Sequence, residues 1–122
     1  MLVDTNILVD LLRNYPPAVH FFSEPFETRL CFSATTETEL LRGHANNDAR
    51  KREDLLHILS SMEKIDITNP VALLAGDLAR THAMDVPDAI IASTALLNDQ
   101  ELITRNLKDF QKIPHLRVRS PY

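Results

Sequence analysis

The sequence is poor in the residues that mark several common kinds of active site. It has one cysteine, Cys31, set in the apolar stretch Leu30-Cys31-Phe32, so no disulfide framework or thiolate metal site is available and a small core residue is the natural reading. Its two glycines, Gly43 and Gly76, stand alone, which removes the Gly-rich phosphate loops of nucleotide-binding proteins. Ser33, Ser60, Ser61 and Ser93 lack the context of a nucleophile elbow. The histidines, His20, His44, His57, His82 and His115, show no i,i+3 or i,i+4 pairing, so no paired imidazole acid and base is evident. No apolar run approaches the ~20 residues that cross a bilayer, and Met1-Leu2-Val3-Asp4 carries no basic leader. A soluble, cytoplasmic protein with no membrane association is therefore expected. Seven prolines are spread along 122 residues with no linker-like cluster, and residues 1–122 are expected to form a single domain.

What is present is an alternation of short apolar runs with helical patterns. Leu2-Val3 reads as a buried strand that hands over at Asp4-Thr5-Asn6 to a helix reaching Arg13. Pro16-Pro17 restarts the chain into a short helix ending before Pro25. Leu30 to Ser33 reads as a second strand, followed by a helix capped by Thr35 or Thr36 and stopped near Gly43. Residues 47 to 62 are amphipathic, with Leu55, Leu56, Ile58, Leu59 and Met62 on one face and the run from Arg50 to Asp54 as a solvated surface. Ile65-Asp66-Ile67 alternates like a strand, and Thr68-Asn69-Pro70 starts the next helix. Gly76 within that helix is read as a point of close packing. Pro87 holds Met84 to Val86 out of helix, so that Asp88 opens the apolar helix Ala89 to Leu97. Leu102 to Thr104 and Leu116 to Val118 read as the last strands. Strands alternating with helices predict an α/β domain with a largely parallel sheet, whose ligands bind beyond the carboxyl ends of the strands.

Four acids fall where they can reach that edge: Asp4, Glu39, Asp88 and Asp109. Taken singly, Asp4 and Asp88 are equally readable as helix caps, Glu39 as a helix-dipole residue rivalled by Glu37, and Asp109 as a turn residue. Taken together they would repel one another, and a divalent cation is the usual compensation. Magnesium prefers hard oxygen donors and keeps several waters, and such an ion can activate water against a phosphodiester. Net charge is 13 − 17 = −4, which lacks the basic surplus of most nucleic-acid binders. Setting four acids aside as metal ligands leaves 13 of each sign, so an RNA substrate is not excluded. Arg105, Lys108, Lys112, Arg117 and Arg119 fall in the last 18 positions, where Asp109 is the only acid. That tail reads either as a phosphate-contacting strip or as ordinary solvated surface.

These residues resemble the PIN domain, and within it the VapC-type toxins of toxin–antitoxin pairs, over nearly the whole chain. Val3-Asp4-Thr5-Asn6-Ile7-Leu8 looks like the first motif of that family. Ser33 through Thr36 to Glu39-Leu40-Leu41-Arg42-Gly43 looks like the second, Asp88-Ala89-Ile90-Ile91-Ala92-Ser93-Thr94-Ala95 like the third, and Thr104-Arg105-Asn106 through Asp109-Phe110 like the fourth. The resemblance implies a PIN-like three-layer α/β/α sandwich with a mostly parallel sheet of four to five strands. It also implies endoribonuclease activity with one or two magnesium or manganese ions per site. Asp4 and Asp88 become the firmest ligands, Glu39 and Asp109 complete the catalytic cluster directly or through water, and Asn6, Thr104 and Asn106 match supporting polar positions. The motif also selects Glu39 over Glu37, leaving Glu37 exposed. Arg13, Arg42, Arg105 and Lys108 are the expected phosphate contacts. The implied partners are RNA and a cognate antitoxin covering the acidic groove, and a homodimer is the expected assembly.

Two positions depart from the family pattern. Only three residues precede Asp4, and Met84-Asp85-Val86-Pro87 stands where a glycine is usual before the third motif. Two rival readings are a non-catalytic PIN-fold module that binds RNA or protein, and an aspartyl phosphatase. The latter needs a second Asp two residues after Asp4, where Asn6 stands.

Overall fold

Alternation along very short strands sets the layering. In the computed structural model, which describes residues 1–122, β1 (Leu2–Val3) sends Leu2 into one core and Val3 into another. The same split recurs in β2 (Cys31–Ser33), through Cys31 and Phe32, and in β4 (Leu102–Ile103), through Leu102 and Ile103. Successive strand side chains point to opposite faces, so three paired strands in register build two apolar surfaces at once. Leu2 pairs with Cys31 and Leu102, and Val3 with Ile103. With β3 (Glu63–Ile65) and β5 (Val118–Arg119) the sheet has the order β3-β2-β1-β4-β5, and every pair is parallel.

Parallel strands need crossovers, and the helices that supply them cover both faces. On the Val3 side lie α1 (Thr5–Leu12), α3 (Ala34–Leu41) and α4 (Ala49–Ser60), which bury Ile7, Leu8, Leu40, Leu55 and Leu59. The short α2 (Pro16–Ser23) adds Phe21 and Phe22 to the margin of that core. On the Leu2 side lie α5 (Asn69–His82), α6 (Val86–Leu97) and the single turn α7 (Leu107–Phe110). Ala89, Ala92 and Ala95 keep α6 small enough to sit directly on the sheet, and the Ser93 hydroxyl donates to the Val71 carbonyl of α5 at 2.8 Å. The result is the expected three-layer α/β/α sandwich with five strands. No helix is long and apolar enough to cross a membrane.

Several local expectations give way. Ser33, rather than Thr35 or Thr36, caps α3 by accepting from the Thr35 N–H. The third strand is Glu63–Ile65 rather than Ile65 to Ile67, because Glu63 must follow buried Met62 to pair with Cys31. Pro87 lies inside the first turn of α6, where its missing N–H is not needed, so Asp88 sits in that turn instead of opening the helix. Gly76 marks no close approach, since an added Cβ would meet nothing within 4 Å. The run from Arg50 to Asp54 is exposed, as expected.

Candidate active site

All five strands end at one edge, and the first acid is placed there by chain connectivity alone. Asp4 follows β1 directly and is the N-cap of α1, so its reading as a cap holds, and the cap position also puts its carboxylate at the strand edge where a site residue would lie. Asp4 is only 4% exposed. Its Oδ1 accepts from the Thr5 N–H at 2.7 Å and its Oδ2 from the Thr104 hydroxyl at 2.7 Å. Burial pushes the Asp4 carboxyl above the usual range, and the Glu39 charge adds to the rise. The Thr104 and Thr5 hydrogen bonds and the Arg105 guanidinium oppose it.

The supporting residues fix the other acids in the same way. The Thr5 hydroxyl donates to Glu39 Oε1 at 2.9 Å and lies 3.0 Å from Thr36 Oγ1, which ties α1 to α3. Thr104 Oγ1 accepts from the Asn106 N–H at 3.0 Å and from Asn6 Nδ2 at 3.4 Å. Asn106 Nδ2 in turn donates to Asp109 Oδ2 at 2.8 Å. Asp109 is therefore held by an amide and not by a basic neighbour. Asn6 Oδ1 is buried with no hydrogen-bond partner.

Asp88 is where the four charges meet. Partial burial comes first, and Asp4, Glu39, Asp85 and Asp109 follow, in raising its pKa from 3.8 to about 6. No hydrogen bond relieves it. The structure thus brings Asp4, Glu39, Asp88 and Asp109 into one electrostatic unit and adds Asp85, which the sequence reading passed over. Its signal was there in outline: Asp85 precedes Asp88 by three residues, one helical turn. No three of the side chains close into a ready-made metal cage; the cluster is open, and a cleft of about 100 Å³ between Asp85, Asp88, Asp109 and Lys112 lies on its flank.

Other predictions about charge separate. Glu37 is not free in solvent but half-buried against Lys64, 3.1 Å away, and it makes no part of the acid unit. The basic tail does not form one strip. Arg117 and Arg119 are ion-paired to Asp99 and Glu101 at the opposite edge, and Lys112 donates to the His82 carbonyl. Arg105 alone among those five is drawn into the electrostatics of Asp4.

The comparisons agree with this fold. The family model described as "PIN domain" matches residues 1–116. Ribonuclease VapC19 of Mycobacterium tuberculosis is 30% identical over 123 residues, spanning 95% of this chain and 96% of its own length. The tRNA(fMet)-specific endonuclease VapC of Salmonella typhimurium is 27% identical over 124 residues, 96% of this chain and 94% of the relative. Among solved structures, a chain of a toxin–antitoxin complex from Klebsiella pneumoniae superposes with a TM-score of 0.83 at 34% identity, covering 99% of this chain and 97% of that one. The chain belongs to the PIN domain family, and within it to the VapC ribonucleases.

Proposed function

We propose that the chain is a metal-dependent endoribonuclease, the toxin of a VapBC-type pair, and that residues 1–122 act as one PIN domain in the cytoplasm. The observation that carries the metal requirement is the state of Asp88: five acids share one edge of the sheet, and partial burial followed by the charges of Asp4, Glu39, Asp85 and Asp109 pushes its carboxyl up to about 6. The donor set fits magnesium or manganese, since it offers hard carboxylate oxygens and the unpartnered amide oxygen of Asn6. Asp4 and Asp88 would hold the ion, with Glu39 and Asp109 joining directly or through water. When bound, the ion supplies a water acidic enough to attack a phosphodiester and positive charge for the leaving oxygen.

The protein's own part is to fix the ligands before the ion arrives. Thr104 and the Thr5 N–H hold both oxygens of Asp4, the Thr5 hydroxyl holds Glu39, and Asn106 holds Asp109. Of these four ligands Asp88 alone is left without a donor, so it supplies the adjustable charge. Arg105 stands beside the cluster to receive a phosphate of the RNA. The relatives found in toxin–antitoxin complexes support a protein antitoxin as inhibitor, and we read the assembly as a homodimer.

Asp4→Asn and Asp88→Asn proteins are the direct test. Each is expected to lose metal-dependent RNA cleavage by more than about 100-fold while retaining the wild-type circular dichroism spectrum. Cleavage by Asp4→Asn at the wild-type rate in magnesium would remove Asp4 from the site. Wild-type binding of RNA without any cleavage in magnesium or manganese would favour the non-catalytic module.

A further inference from the structure

One carboxylate buried in the molecule is used by none of the chemistry above. Asp10 lies on α1 six residues beyond Asp4, roughly 9 Å along the helix axis. It is 7% exposed although its neighbours Val9 and Leu11 are apolar. Its Oδ2 serves two partners from the end of the chain: the Arg105 Nε lies 2.9 Å away, and the Tyr122 hydroxyl donates at 2.8 Å. The Tyr122 ring packs edge-on against Tyr15, with centroids 5.7 Å apart. Asp10 is thus held from the side by an aromatic pair while it grips the guanidinium.

The two ends of the ion pair differ in a way that is informative. The Asp10 side chain is 10% exposed and that of Arg105 is 49% exposed, so the anchor is buried and the far side of the guanidinium opens to solvent. Arg105 follows Thr104, which bonds Asp4, and precedes Asn106, which bonds Asp109. Its backbone is therefore part of the acid site while its side chain is fixed by a group outside it. A buried ion pair gives little net stability against an apolar pair of the same shape. It does restrict a long, flexible side chain to one geometry, and guanidinium recognition of phosphate depends on geometry.

We propose that Asp10, steadied by Tyr122, is a positioning residue that aims the Arg105 guanidinium at an RNA phosphate neighbouring the one that is cut. The inference rests on the ribonuclease reading and deepens it. It also fixes the sign of an effect that simple charge would reverse. Removing a negative charge beside the path of a polyanion should tighten binding if only the field mattered. Loss of aim should weaken it.

The test compares wild type with Asp10→Asn, Arg105→Ala, the double variant and Tyr122→Phe, using a fluorescently labelled single-stranded RNA. Binding is measured without divalent metal, and cleavage in magnesium. Asp10→Asn is nearly isosteric and keeps an acceptor for Tyr122. It is expected to weaken binding and raise KM by roughly five- to tenfold with kcat little changed. In the Arg105→Ala background the same substitution should weaken binding no further. Tyr122→Phe leaves the ion pair in place and should raise KM by about twofold, a fraction of one hydrogen bond. Binding by Asp10→Asn as tight as wild type or tighter, or an equal loss with and without Arg105, overturns the proposal. Absence of cleavage by wild type would remove the nuclease reading instead, and the metal-free binding comparison would still decide on Asp10.

Discussion

The two edges of this sheet carry similar residues to opposite electrostatic ends. At the amino-terminal edge Glu63, Asp99 and Glu101 each have a partner, in Arg29, Arg117 and Arg119. At the carboxyl-terminal edge Asp4, Glu39, Asp85, Asp88 and Asp109 act on one another, with Arg105 as the opposing charge. The amino-terminal edge also has the larger concavity, about 1110 Å³ against about 100 Å³. Size alone would choose the edge away from the proposed site. What distinguishes the carboxyl-terminal edge, where the proposed site lies, is charge that the protein concentrates without pairing it.

Adding that species should have the largest effect on stability. Magnesium or manganese at ~100 times its dissociation constant is expected to stabilise the folded protein by about 2.7 kcal/mol. Thermal denaturation with and without metal reads the gain, and Asp88→Asn should lose most of it. A metal-induced shift of equal size in Asp88→Asn would mean that the ion binds elsewhere.

A smaller effect is expected from protons, with a definite sign. The folded-state pKa of Asp88 is raised from 3.8 to about 6, so between those values the folded protein binds more protons than the unfolded chain. Metal-free stability from this group therefore falls as pH rises from 3.8 to about 6, and the penalty is complete above that. Denaturation midpoints in chelator across this range should show the decline, and Asp88→Asn should flatten it. The same competition makes metal binding strengthen as pH rises through about 6.

The smallest effect belongs to the other edge. Glu101→Gln breaks the half-exposed pair with Arg119 and should change stability by only about 0–1 kcal/mol, less in high salt. RNA cleavage should stay at the wild-type rate. A large loss of activity there would end the contrast between the two edges.

How much of this was legible in the sequence follows the range of the interactions. Leu2-Val3, Cys31-Phe32 and Leu102-Ile103 announced buried strands because strand periodicity is local, and Thr68-Asn69-Pro70 announced its helix because capping is local too. The four motif acids were legible through order and family resemblance. Glu63 and Lys64 hid an edge strand, because a strand needs no apolar residues where one side faces solvent, and both are exposed. The destinations of Arg117 and Arg119 were hidden as well, since nothing nearby in the sequence ties them to Asp99 and Glu101. Asp10 drew no reading from the sequence, because Arg105 and Tyr122 reach it only across the folded molecule.

The hydrogen bond from Thr104 to Asp4 joins residues 100 positions apart, and it has a consequence for the order of events during synthesis. Asp4 is made before β4, and β4 must be laid beside β1 before the Thr104 hydroxyl can reach it. Asp109 and its Asn106 clamp come later still. A chain truncated before this region would carry Asp4, Glu39 and Asp88 without the Thr104 hydroxyl that holds Asp4. Pairing β1 with β4 is a contact between distant parts of the chain, the kind that makes a sheet slow to form, so the hydroxyl that holds Asp4 arrives only with one of the slower steps of folding.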